Sequence, residues 1–174
     1  MNIFLLHWAV FIFLVGLVLS LPLGAVYYLN HSQLKQFFTN PRKLKAAHLD
    51  FIMQAFSIGL VFLLEIGTNM RVPTYAVIPL AFGTFCNPFI FLMEATPLYK
   101  KAYIKLLYQT LKGVSPSALF FAWFVVAFLY LPAYIMWLLL AFVLLLTFTF
   151  VAFSRKTKMI SSTKKIIDIG GKQS

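Results

Sequence analysis

The chain has 174 residues, 61% of them hydrophobic and 18% aromatic against 11% charged, with a formal net charge of +11. Its apolar residues come in runs too long for helices with one wet face, which excludes a soluble catalytic domain and predicts an integral, multi-pass membrane protein. The single cysteine, Cys86, excludes an intramolecular disulfide and any zinc site built on cysteine pairs.

The lysines and arginines concentrate in connectors and tail. Their charge is therefore expected to face the headgroups of a lipid bilayer, and no basic soluble module exists to carry nucleic acid.

The first expected span covers residues 3–28, with Gly16 and the Pro22/Gly24 pair placed to bend its second half. No Lys or Arg precedes it, and it is longer than a signal-peptide apolar region, so it reads as a retained span. His7 beside Trp8 reads as an interfacial ring pair. The polar connector that follows carries Lys35, Arg42, Lys43 and Lys45, and Asn40-Pro41 is a turn signal that opens the next helix.

The second expected span covers 44–66 and ends on Gly67 as its cap. On a helix of 3.6 residues per turn, Asp50, Gln54, Ser57 and Glu65 fall within an arc of roughly 80°, which must look into the bundle rather than at acyl chains. His48 lies about 100° or more from most of that arc, in the first turns of the helix, where loops and a neighbouring subunit can reach it.

The third expected span covers 75–95 and contains Pro79 and Pro88, tolerated where neighbours satisfy the freed carbonyls. Thr84, Asn87, Phe91 and Glu94 are spaced by three, four and three and form one stripe. Of the four acidic residues, Asp50, Glu65 and Glu94 lie within or at the edges of spans, and only Asp168 lies in an evident water-exposed segment. Intramembrane carboxylates either tie helices together or mark a functional cavity, so a proton or ion path through these three is one reading.

Residues 98–115, with Lys100, Lys101, Lys105 and Lys112 among Tyr99, Tyr103 and Tyr108, read as a basic connector lying on the membrane surface as a short helix. The fourth segment, 117–153, would be about 55 Å long if helical throughout, well beyond a bilayer core, and Pro132 is placed to divide it. Residues 154–174 read as a flexible basic tail. The expected fold is all-α: an integral membrane four-helix bundle over 1–153 with an extended fourth hydrophobic segment.

Hydrolase and nucleotide motifs are absent: there is no Gly-x-Ser-x-Gly, no His-Glu-x-x-His and no phosphate-cradling glycine loop. Three histidines, His7, His31 and His48, exclude a four-histidine, two-haem electron carrier by count, while one haem on one histidine stays open.

Asn40-Pro41-Arg42, then Ala47-His48-Leu49-Asp50 with Gln54 six residues beyond the histidine, resembles the second-span motif of the hydroxylaminobenzene mutase and styrene oxide isomerase group of small four-span membrane proteins. Gly83-Thr84-Phe85-Cys86-Asn87 is similar to the Gly-Thr-aromatic-x-Asn motif of the third span in the mutase branch. The resemblance implies a homo-oligomer, trimeric in the isomerase branch, with haem b at subunit interfaces and His48 as axial ligand to its iron. It further implies a Lewis-acid rearrangement of a small apolar aromatic epoxide or hydroxylamine, with Gln54, Asn87 and Thr84 lining the pocket. Such a redox-neutral rearrangement needs a Lewis acid and a dry cavity more than acid/base pairs.

Two positions depart from the family pattern. Gln54 stands where the family has Asn, one methylene longer, and Phe91 stands where the isomerase branch uses a tyrosine hydroxyl. A non-catalytic member of the same fold, serving as an assembly or accessory subunit of a membrane complex, is the competing expectation.

Overall fold

The computed structural model describes residues 1–29, 32–97 and 102–149, and every regular element among them is helical. The elements are α1 (Ile3–Tyr27), α2 (Ser32–Phe37), α3 (Pro41–Thr68), α4 (Thr74–Ala95), α5 (Ala102–Tyr130) and α6 (Ala133–Thr149). Four of them, α1, α3, α4 and α5, are long and apolar enough to cross a membrane. Residues 1–130 form one unit and 131–174 a second. Of the second, α6 is an apolar helix whose backbone restarts after Pro132, where Ile135 N–H donates to the Pro132 carbonyl. The tail 154–174, His31 and residues 98–101 lie outside the described residues.

In the first unit the chain runs up, down, up and down. α1 packs chiefly on α3, α3 on α4, and α4 on α5. One end gathers Asn2, Glu65, Val72, Met70 and Tyr130: Glu65 accepts the backbone N–H groups of Asn2 and Val72, and the Tyr130 hydroxyl donates to the Met70 carbonyl. The opposite end gathers Asn40, Lys43, Glu94, Ala95 and Tyr108, where Asn40 N–H donates to the Ala95 carbonyl at 3.2 Å.

Lipid is as apolar as leucine, so burying leucine between spans gains little, and close backbone approach with dense contact must hold the helices. Small residues occur where that approach is closest. A Cβ on Gly83 would sit 2.8 Å from Leu119 Cβ, and one on Gly16 would sit 3.1 Å from Ile52 Cγ1. Between them Phe51, Ile58, Val61, Leu80 and Ala122 are closed off from the surface. Trp8 crosses from α1 to α4, its Nε1–H donating to the Ala81 carbonyl at 3.1 Å and its ring meeting those of Phe4, Phe11 and Phe85. Large side chains such as Val18, Leu63, Ile78, Phe120 and Phe128 are exposed around the outside, as a lipid-facing surface requires.

The second and fourth spans differ most from the sequence reading. α3 starts at Pro41 rather than residue 44, because Asn40 caps it, accepting the Lys43 N–H on its side chain while Pro41 occupies the first turn. It runs through Gly67 and ends on Asn69, which adopts the left-handed conformation (φ 54°, ψ 18°) that asparagine tolerates. The largest difference is in the fourth span. It runs from Ala102 to Tyr130 rather than over 117–153, so Lys105, Tyr108 and Lys112 belong to this helix rather than to a separate surface helix, and the apolar residues after Pro132 form the shorter helix α6. Ser115, Leu119, Ala122 and Val126 recur at four, three and four residues and pack inward, and Tyr108 extends that stripe by two turns. Pro116 lies inside α5 without ending it.

Candidate functional site

A cavity of about 510 Å³ opens between α3, α4 and α5. Its outer end is formed by Lys43, Glu94 and Lys112, its walls by Ile90, Phe91 and Pro116, and its inner end by Asp50 and Asn87. The depth follows from helix geometry: Lys43 and Asp50 are two turns apart on α3, and Glu94 and Asn87 two turns apart on the antiparallel α4, about 10 Å in each case.

The outer end is neutralised internally. Lys43 Nζ lies 2.5 Å from Glu94 Oε2 in an ion pair, and the same ammonium stands 5.0 Å from the Phe91 ring centre. The Tyr108 hydroxyl donates to Glu94 Oε1 at 2.5 Å, and Lys112 Nζ lies 3.4 Å from that hydroxyl and over its ring. Three helices are thus joined through one carboxylate.

The inner end is different. Asp50 Oδ1 accepts from Gln54 Nε2 at 3.2 Å, one turn along α3. Asn87 Oδ1 accepts from Ser115 Oγ at 3.2 Å, which leaves the Asn87 amide N–H groups to serve as donors. Gln54 is not on the cavity wall and acts there only through Asp50.

Thr84 lies deeper on the same stripe but is fully buried, its hydroxyl donating to the Leu80 and Ala81 carbonyls of its own helix. It does not reach the cavity.

His48 faces another way, towards α1. Its Nδ1 lies 2.8 Å from the Gly16 carbonyl oxygen, which can only accept, so Nδ1 carries a proton and a lone pair for a ligand would have to come from Nε2. The ring is half-buried on the α1–α3 seam and borders neither the polar cavity nor the apolar one described next. Within the chain His48 and Asn87 are therefore on separate faces.

The second cavity, about 400 Å³, lies beneath α2 between Leu19, Phe37, Phe38, Phe89, Leu92 and Leu107 and is almost wholly apolar. It suits an aromatic ring or a stretch of acyl chain.

Among the described residues no three of His, Cys, Asp and Glu come together as a metal-binding group. The three described carboxylates are not contiguous either. Glu65 is fifteen residues from Asp50 along α3, about 22 Å, and closes the opposite end of the bundle.

Sequence reasoning found Asp50, Asn87, Phe91 and Glu94 from their polar stripes. It missed Tyr108, Lys112 and Ser115 as cavity or supporting groups because it placed them in a surface connector, and Pro116 because it fell between that connector and the fourth segment. The signal was available in the seven-residue spacing of Tyr108, Ser115 and Ala122. Gly16 as the partner of His48 had none, since a backbone carbonyl leaves no mark in composition. Comparisons with protein-family models, with curated proteins and with solved structures each return no match.

Proposed function

We propose that the protein is a membrane-integral, haem-binding isomerase or mutase acting on small apolar aromatic molecules, with His48 as the axial ligand of haem b. The observation that carries this is the Nδ1–H bond from His48 to the Gly16 carbonyl. A histidine that ligates iron through Nε2 characteristically donates its other ring N–H to a carbonyl or carboxylate, which fixes the tautomer and raises the basicity of the ligating nitrogen. The donor set fits a haem held by one protein ligand, and no second histidine is required.

When bound, such an iron supplies Lewis acidity towards an epoxide or hydroxylamine oxygen. The protein's own contributions are separate from that. Gly16 holds the imidazole in register, the apolar spans exclude water, and the Asn87 amide offers hydrogen bonds to a polar substituent. Because His48 and Asn87 lie on different faces of a protomer, a shared site requires two copies, one presenting the α1–α3 seam and the other the α4 stripe. This reading therefore includes a homo-oligomer, a trimer by the family resemblance.

The test is an absorption spectrum of the full-length protein purified after expression with haem supplied. A Soret band that is lost in His48→Ala supports the proposal. A protein without the band overturns it, and a band retained in His48→Ala removes His48 as ligand.

One observation favours a second reading, an accessory subunit without catalysis. Gly83, Thr84 and Asn87, the resembling block of α4, are each engaged in structure: Gly83 against Leu119, Thr84 with its own helix, Asn87 with Ser115. In that reading the block is a helix-packing surface, and co-purification of a partner membrane protein in the absence of haem is the expected outcome.

A further inference from the structure

Asp50 is set apart from the other described carboxylates by what it lacks. Glu65 accepts two backbone N–H groups, and Glu94 meets Lys43 and the Tyr108 hydroxyl. Asp50 receives one neutral amide, from Gln54, and among the described residues no ammonium or guanidinium pairs with it. Lys43, on the same face of α3, is committed to Glu94 two turns away, and Lys112 stands over Tyr108. A carboxylate inside a membrane span with only a weak neutral partner is neutralised by a proton or by a cation, and the room beside Asp50 admits the cation.

The surroundings of Asp50 say what kind of cation. A bare metal ion would need several oxygen donors, six or so for a hard cation, whereas beyond Asp50 the side-chain oxygens of the cavity are already engaged, that of Asn87 by Ser115 and those of Glu94 by Lys43 and Tyr108, and Ile90, Phe91 and Pro116 add none. The cavity volume of about 510 Å³ lies in the range of small-molecule sites and far exceeds one ion. An aromatic ring, an isoleucine, a proline and a carboxylate without a cationic partner suit a ligand with a charged N–H donor and an apolar body.

We infer that the α3–α4–α5 cavity binds a small organic ammonium ion, its nitrogen on Asp50 and its apolar part against Ile90, Phe91 and Pro116. Within one chain the cavity does not include His48; it shares Asn87 with the proposed haem-side pocket, and the ammonium site on Asp50 is tested without haem. The same ammonium is offered by a free amine and by an aminophospholipid headgroup, since the outer end of the cavity lies near the helix ends where headgroups gather.

The experiment uses full-length protein in phosphatidylcholine nanodiscs, with thermal unfolding followed by tryptophan fluorescence during titration with benzylamine and, in parallel, benzyl alcohol, which has the same shape without the charge. Benzylamine is expected to raise the midpoint with dose while benzyl alcohol does not, and Asp50→Asn is expected to weaken the apparent benzylamine affinity by about tenfold or more. Asp50→Glu, which keeps the charge, should retain the preference for the amine. Ile90→Trp, which fills the cavity and leaves Asp50 in place, should lose the response. Equal responses to the two probes, no response to benzylamine, or an undiminished response in Asp50→Asn or Ile90→Trp would each overturn the inference. The comparison of amine with alcohol on the wild type decides even if a variant fails to fold. Nanodiscs containing phosphatidylethanolamine separate the sources: a weakened benzylamine response supports the lipid headgroup as the occupant, and an unchanged one supports a free amine.

Discussion

Lys43 Nζ lies 2.5 Å from Glu94 Oε2 and ties the first turn of α3 to the last turn of α4. The pair is partly exposed, with side-chain accessibilities of 39% for Lys43 and 15% for Glu94, so solvent screens it. A double-mutant cycle of Lys43→Ala and Glu94→Ala, read by reversible unfolding in detergent, is expected to give a coupling energy of about 1 kcal/mol that shrinks as salt is raised. Glu94→Ala alone should cost more than Lys43→Ala, because it also strands the Tyr108 hydroxyl.

Gly83 and Gly59 provide an internal contrast. At Gly83 an added methyl meets Leu119 Cβ at 2.8 Å, with the Leu119 backbone at 3.1 Å, so α4 and α5 must move apart; at Gly59 nothing lies within 4 Å. Gly83→Ala is expected to destabilise by about 1–3 kcal/mol. Gly59→Ala should be neutral or stabilising by up to about 1 kcal/mol, the ordinary helix-propensity gain. Unfolding midpoints of the two variants side by side check this, and a Gly83→Ala protein as stable as wild type would refute the close α4–α5 contact.

Glu65 is 1% exposed and accepts two backbone N–H groups, one on each carboxylate oxygen. In Glu65→Gln one of those N–H groups faces an amide NH₂ instead of an oxygen, so the variant should lose about 1–3 kcal/mol. A capping role also predicts that proton flux into liposomes is the same for Glu65→Gln and wild type, whereas a proton path through this residue predicts a drop.

Trp8→Phe keeps most of the ring contacts with Phe4, Phe11 and Phe85 but removes the N–H bond to the Ala81 carbonyl. The expected loss is about 1 kcal/mol, readable as a lower detergent-unfolding midpoint.

The all-helical membrane fold was legible because lipid leaves the backbone few options, so long apolar runs translate directly into spans. The arc of Asp50, Gln54, Ser57 and Glu65 was legible as an inward face, yet the arc alone could not tell a capping carboxylate from a cavity carboxylate. That distinction depends on which backbone N–H groups arrive from elsewhere: Val72 reaches Glu65, and none reaches Asp50 among the described residues. The start of the fourth span was hidden because lysines among tyrosines carry the composition of an interfacial helix, and composition outweighed the seven-residue stripe of Tyr108, Ser115 and Ala122. Asn69 was passed over for Gly67 because glycine is the commoner left-handed cap.

The bond between His48 and α1 goes to a main-chain oxygen, and side-chain exchange along α1 cannot delete it. An alanine scan of α1 would pass over this anchor entirely, registering Gly16 only as a steric position. α1 is thus free to vary its side chains widely while the imidazole keeps one tautomer, and only a change in the distance between α1 and α3 can release the ring.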